Sequence, residues 1–135
     1  IIISSPEKIT LYMNDTDPIA AFKKMATLSQ FAAVPRGDNL YSYRFSEVIG
    51  CGAIPVVYAD GWVLPFERII DPSTYVVVIP EDQANRTTQI LADIPEGTRC
   101  QMRKTGLKIY ERYFQNSKAT LQGVLDSLEH DFQLK

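Results

Sequence analysis

Arg44 and Glu47 stand three residues apart, after a loop of turn formers (Arg36, Gly37, Asp38, Asn39) and ahead of an apolar run, Ile54 to Tyr58. On a helix that spacing puts both side chains on one face. A guanidinium makes paired, charge-assisted hydrogen bonds to phosphate oxygens, a geometry lysine does not match. An ionised carboxylate only accepts hydrogen bonds, and two neighbouring ribose hydroxyls are natural donors to it. The pair therefore suits a phosphate and a ribose. Ser42 adds a hydroxyl at the helix entry, where free N–H groups and a partial positive charge also favour an anion. The plainer reading of the same residues is a surface ion pair worth roughly a few tenths of a kcal/mol, with Ser42 as an N-cap. The arginine and glycine that open the loop are more than an ion pair needs.

Three other patterns bear on chemistry. Gly50-Cys51-Gly52 looks like half of a dinucleotide fingerprint, but it lacks the third glycine and precedes a strand, so it is rejected. Asp15-Thr16-Asp17 follows a possible strand, as a metal-binding DxD does; the reading preferred here is a capped turn before Pro18. Trp62, beside Gly61, is either core or a lip over a ligand. His130, near the end of the last helical segment, reads as a solvated side chain.

The elements that must position these residues follow from periodicity. Lys8 to Met13 is a plausible strand with Ile9, Leu11 and Met13 on one face. Asp17 and Pro18 read as an N-cap and first helical residue, opening a helix to about Ser29 with an apolar face of Ile19, Ala21, Phe22, Met25, Ala26 and Leu28. Phe31 to Val34, Ile54 to Tyr58 and Tyr75 to Ile79 are unbroken apolar runs, as expected of strands buried on both faces of a parallel sheet. Between them lie the Pro35–Tyr43 loop, a short helix whose Phe45, Val48 and Ile49 face the sheet, and a helical piece near Glu67 to Ile70. Helices are expected from about Asp82 to Ala92, from Glu96 to Phe114 with Leu107, Tyr110 and Phe114 on one stripe, and from Lys118 to Phe132 with Leu121, Val124, Leu125, Leu128 and Phe132 on another. The fold class is α/β: a Rossmann-like parallel sheet flanked by helices, with a helical C-terminal tail. In such a sheet ligands sit beyond the carboxyl ends of the strands, which is where the Pro35–Tyr43 loop begins.

The chain has 135 residues, 45% of them apolar and 22% charged, so it reads as a single globular domain over residues 1 to 135. A formal net charge of −2 argues against broad nucleic-acid or anionic-membrane binding, and any phosphate recognition must be local. Cys51 and Cys100 have no metal-ligand spacing and read as two buried thiols in preference to one disulfide. No apolar run approaches the ~18 residues of a membrane span, and no signal peptide is visible. The chain starts at Ile1 without an initiator Met and reads as a fragment or a processed piece. Sequons occur at Asn14 and Asn85.

The ordered set Pro35 and Gly37, Ser42, Arg44 and Glu47, Pro55-Val56, Asp60-Gly61-Trp62 and Leu64-Pro65-Phe66 resembles the exostosin family of glycosyltransferases. The segments SQFAAVPRG and IYERYF fit as well, so the resemblance covers roughly residues 20 to 114. One departure is Ala53, where many members have cysteine two residues before the Pro of the Pro-Val strand; no family role passes to Cys51. The resemblance implies the C-terminal, donor-binding half of a GT-B fold. Such an enzyme transfers a sugar, usually from a UDP-sugar, to a glycan acceptor with inversion. It implies Arg36, Arg44 and Ser42 at the donor diphosphate, Glu47 at the ribose, and Gly37, Tyr43, Gly61 and Trp62 lining the donor site. It implies no metal cofactor. The catalytic base and acceptor side would belong to an N-terminal domain absent from this chain. Location would be the lumen of the Golgi or endoplasmic reticulum, with no membrane contact from this segment. Two alternatives stand beside this: an inactive glycan-binding or partner-docking module, and a metal-dependent transferase using Asp15 and Asp17.

Overall fold

The computed structural model describes residues 2–3 and 17–133. The expected strand from Lys8 to Met13, the sequon at Asn14, and Asp15 and Thr16 lie outside the described residues.

The expected α/β architecture is present. A four-stranded sheet runs in the order β1 (Ile2–Ile3), β2 (Phe31–Pro35), β3 (Ile54–Tyr58), β4 (Val77–Val78). β1 pairs antiparallel with β2, and β2, β3 and β4 are mutually parallel. Phe31 lies opposite Ile54 and Pro35 opposite Tyr58, so the carboxyl ends of β2 and β3 coincide. Both strands are uncharged and predominantly apolar, and most of their residues are buried, on both faces of the sheet. β4 is shorter than the run Tyr75 to Ile79. The amides of Tyr75 and Val76 are already spent on the carbonyl of Pro72 in a 3₁₀ turn over Pro72–Thr74, so neither can join the ladder. Pairing continues only as far as the Ile79 amide, which donates to the Val57 carbonyl at 2.9 Å.

Two clusters form the core, one on each face of the sheet. On the first face Ala32, Val34 and Val57 meet Phe45, Val48 and Ile49 of helix α2 (Arg44–Gly50). On the second, Phe31, Ile54, Val56 and Ile79 meet Leu91 of α3 (Thr87–Ala92) and Met102 of α4 (Glu96–Ile109). α2 is the crossover between β2 and β3. α1 (Pro18–Leu28) precedes β2 and is capped as expected, with the Asp17 carboxylate accepting from the Ile19 amide at 2.9 Å. Its apolar face is narrower than its composition suggests: Ala21 and Ala26 are buried, but Ile19 and Leu28 are exposed.

The helical segments differ from expectation in five places. Residues 67–70 form turns instead of a helix: the Ile70 amide reaches the Phe66 carbonyl at 2.9 Å but no further turn follows, and Phe66 at their head has φ 61. Glu81–Arg86 is 3₁₀, and only Thr87–Ala92 is α-helical. After α4 the chain widens into a π turn, Tyr110–Phe114, closed by a bond from the Gln115 amide to the Tyr110 carbonyl at 2.9 Å. The buried stripe is Met102, Gly106, Ile109 and Tyr113, while Leu107 is exposed. α5 (Ser117–Phe132) turns its expected apolar stripe outward: Leu121, Val124, Leu125, Leu128 and Phe132 are all exposed, and only Gly123 is buried. Cys51 and Cys100 are free thiols, but Cys51 is half-buried and Cys100 exposed. His130 is exposed near Asp131.

Candidate functional site

The carboxyl ends of β2 and β3 open into a loop from Arg36 to Tyr43 and a turn at Asp60-Gly61. Arg36 is fixed to this edge by its backbone, whose amide donates to the Tyr58 carbonyl at 3.0 Å. Its guanidinium lies 3.6 Å from the Glu81 carboxylate. Glu81 is held in turn. Its carboxylate accepts from the Asp60 amide at 3.1 Å, and the Asp60 carboxylate accepts from the Glu81 amide at 3.1 Å. This reciprocal clasp joins the ends of β3 and β4. Beneath it, on the second face of the sheet, lies a cleft of about 510 Å³ floored by Ala33 and Val56 and walled by Tyr58 and Thr87. The Tyr58 and Thr87 hydroxyls share a hydrogen bond of 2.8 Å.

Arg44 and Glu47 occupy a different pocket. They lie at the start of α2, on the side facing α1, and line a cleft of about 290 Å³ with Pro18, Phe22, Lys23 and Tyr43. The Arg44 guanidinium is 3.4 Å from the Glu47 carboxylate and stacks 4.0 Å from the centroid of the Phe22 ring. The ring fixes the plane of the guanidinium, and cation–π attraction supplements the ion pair. Both side chains are half-exposed, so the pair is weak and exchangeable. Arg36 and Arg44 thus line separate pockets, and no contact between them is present among the described residues.

Ser42 does not cap α2 with its hydroxyl. Tyr43 occupies the N-cap with helical φ and ψ, no side chain caps the helix, and Ser42 contributes only its carbonyl, 3.1 Å from the Phe45 amide. α2 is also only seven residues long, so its end charge is a minor attraction beside a full guanidinium. Tyr43 is 78% exposed. Gly37 is exposed, with open space where a Cβ would project. Gly61 needs to be glycine, since its φ of 79 closes the Asp60-Gly61 turn. Trp62 is half-buried, edge-on to Phe45 at 5.4 Å and to Tyr41 at 6.0 Å, so the core contact is present.

Glu81, Asp60, Tyr58 and Thr87 are additional candidates at this edge. The strand-end rule points to Tyr58 and Asp60 at the end of β3, and it points to Glu81 once β4 is taken to end at Ile79-Pro80. Thr87 carries no such signal. Of Asp15-Thr16-Asp17, only Asp17 is described, and it caps α1. Among the described residues no group of three or more His, Cys, Asp or Glu side chains could hold a metal ion. No helix of the described residues is long and apolar enough to cross a membrane.

Residues 5–94 match the exostosin GT47 domain. The chain is 35% identical over 102 residues to exostosin-2 of Mus musculus, covering 73% of this chain and 14% of that protein. It is 30% identical over 104 residues to an exostosin-1 homolog of Caenorhabditis elegans, covering 77% of this chain and 27% of that protein. Against exostosin-1 of Drosophila melanogaster the identity is 37% over 86 residues, covering 64% of this chain and 11% of that protein. The chain spans little more than a quarter, or less, of the length of these curated relatives.

Proposed function

The chain belongs to the exostosin family of glycosyltransferases, and from that premise we propose that it is the donor-binding portion of an inverting enzyme that passes a sugar from a UDP-sugar to a glycan acceptor. The observation that carries this reading is the placing of Arg36, and of the Arg44–Glu47 pair, on the segment that leaves the carboxyl end of β2. In the reaction an acceptor hydroxyl attacks the anomeric carbon from the face opposite the nucleotide. The bond from that carbon to the diphosphate oxygen breaks, and the electron pair leaves with the diphosphate. Arg36 and Arg44 neutralise that developing charge, with Ser42 as a hydroxyl donor, so no metal is required. Glu47 accepts from the ribose hydroxyls. Gly37, Tyr43, Gly61 and Trp62 shape the donor site. The hydroxyl's proton goes to a base in an N-terminal domain of the whole protein, which also supplies the glycan side. The enzyme works in the lumen of the Golgi or endoplasmic reticulum.

A second reading, a non-catalytic module that binds glycan or docks a partner, is favoured by the fact that both guanidiniums already face carboxylates. Calorimetric titration of UDP separates the two. The donor reading expects saturable binding in the presence of EDTA, unchanged by manganese. Absence of binding with the N-terminal domain restored overturns it. Binding that appears only with manganese and is lost in Asp17→Ala gives the site to a metal-dependent transferase.

A further inference from the structure

Phe66 is one of two non-glycine residues with positive φ among the described residues, at 61. A bulky side chain in that region is strained and persists only where its surroundings hold it. The holder is α5. Gly123, the one buried residue of that helix, lies so close that a Cβ there would fall 2.7 Å from the Phe66 ring and 2.7 Å from the Tyr113 ring. The same loop is tied to α5 again by Arg68, whose guanidinium is 3.4 Å from the Asp131 carboxylate. On the other side, the Thr120 hydroxyl donates to the Tyr113 carbonyl at 3.0 Å. α5 therefore docks through a glycine notch filled by aromatic rings, while its apolar stripe faces away.

From the notch the rings run without a break. Phe66 meets Phe114 at 5.4 Å, Phe114 meets Phe45 at 6.0 Å, and Phe45 meets Trp62 at 5.4 Å. Trp62 meets Tyr41 at 6.0 Å and Tyr41 meets Tyr43 at 5.1 Å. Each contact is edge-on, the geometry that aromatic quadrupoles favour. Tyr113 and Phe114, both in the π turn, both touch the Phe66 ring, at 5.2 and 5.4 Å. The far end of the path, Tyr43, immediately precedes Arg44, and Phe45 immediately follows it.

We propose that α5 is a positioning strap: by seating the strained Phe66 against Gly123 it holds the Gly61–Phe66 loop and, through Phe114, Phe45 and Trp62, sets the start of α2 that carries Arg44 and Glu47. The strap lies beyond the residues that match the family, 5–94. Its effect on ligand rests on the donor-binding reading above; its effect on Trp62 does not. Packed side chains with discrete arrangements are the kind of connection that transmits such a bias.

Two variants of the intact chain test this. Gly123→Leu favours helix while closing the notch, and Phe66→Gly empties the notch and removes the φ strain. Trp62 is the only tryptophan, so its emission reports the loop without any ligand. Both variants are expected to shift Trp62 emission to longer wavelength and to weaken UDP binding about fivefold or more, within the usual range of coupling between sites. Arg68→Ala, which breaks only the exposed and weaker second tie, is expected to move both far less than either notch variant. If Gly123→Leu does not fold, Phe66→Gly carries the test alone. Trp62 emission unchanged in Phe66→Gly overturns the strap, and so does an emission shift with UDP affinity retained. If the parent binds no UDP even with the N-terminal domain restored, the donor reading fails, and the emission shift still decides whether α5 sets the loop.

Discussion

The Arg44 guanidinium lies 3.4 Å from the Glu47 carboxylate and 4.0 Å from the centroid of the Phe22 ring, so one helix supplies the ion pair and another the platform beneath it. The pair is half-exposed and spans one turn, which makes it worth roughly 0.2–0.5 kcal/mol to the fold. A ligand that exchanged it for phosphate and ribose contacts would sacrifice little.

Arg44→Lys and Glu47→Ala are each expected to weaken UDP binding about tenfold or more, since each removes a charge-assisted contact of roughly 1.5–3 kcal/mol. Stability should scarcely respond, with the unfolding midpoint moving less than about 2 °C. Calorimetric titration beside thermal unfolding separates the two effects. Unchanged affinity in both variants would remove these residues from the donor site.

Glu81→Gln acts in the opposite direction. The amide oxygen can still accept from the Asp60 N–H, but the charge facing Arg36 at 3.6 Å is gone. Arg36 is then free for a diphosphate, and a carboxylate that repels one is absent. UDP binding should tighten about two- to fivefold, the equivalent of roughly 0.5–1 kcal/mol for a solvent-exposed pair. Weaker or unaltered binding would take Arg36 away from the diphosphate.

β2 and β3 are legible in the sequence because a short, uncharged, unbroken apolar run bounded by turn formers has few alternatives to a doubly buried strand. The spacing of Arg44 and Glu47 likewise fixes their shared face. What escapes is whatever depends on a distant partner. The periodicity of α5 shows which residues share a side; which side docks is decided by Gly123 and the rings of Phe66 and Tyr113, which come from elsewhere in the chain. β4 looks longer than it is because its first two amides are taken by the turn at Pro72. Ser42 has the chemistry of a cap, but Tyr43 takes the N-cap position with helical torsions. The Arg36–Glu81 contact and the Asp60–Glu81 clasp join three strand ends, and only the sheet topology brings them together.

Two glycines, one at the end of α2 and one inside α4, should respond in opposite ways. Gly106 lies inside α4, where an added Cβ would meet Ile49 at 3.6 Å and Tyr75 at 3.8 Å, both ordinary contacts. Gly106→Ala should therefore stabilise the protein by about 0.5–1 kcal/mol through helix propensity. At Gly50 the added Cβ would fall 2.7 Å from the Tyr110 ring, which is packed against the core. Gly50→Ala should destabilise by about 1–3 kcal/mol as the ring is displaced. Denaturant midpoints at constant slope would check both, and a stabilised Gly50→Ala would refute the packing of Tyr110 over α2.

Tyr75 is 1% exposed and its hydroxyl has no hydrogen-bond partner. Burial, and then the neighbouring Glu67 carboxylate, hold the phenol well above its ordinary range. An unpaired buried hydroxyl costs about 1–3 kcal/mol, so Tyr75→Phe, which keeps the ring against Phe45, should be neutral or stabilising by about 1 kcal/mol. The pH dependence has a definite sign. Below about pH 10 the phenol is neutral in both the folded and the unfolded chain and contributes no slope. Above it the unfolded chain loses the proton while the folded chain keeps it, so stability falls as pH rises towards the folded value. Thermal unfolding between neutral pH and pH 11 should show that decline in the parent and a smaller one in Tyr75→Phe. An equal decline in both would mean that the hydroxyl is solvated, with a partner in water.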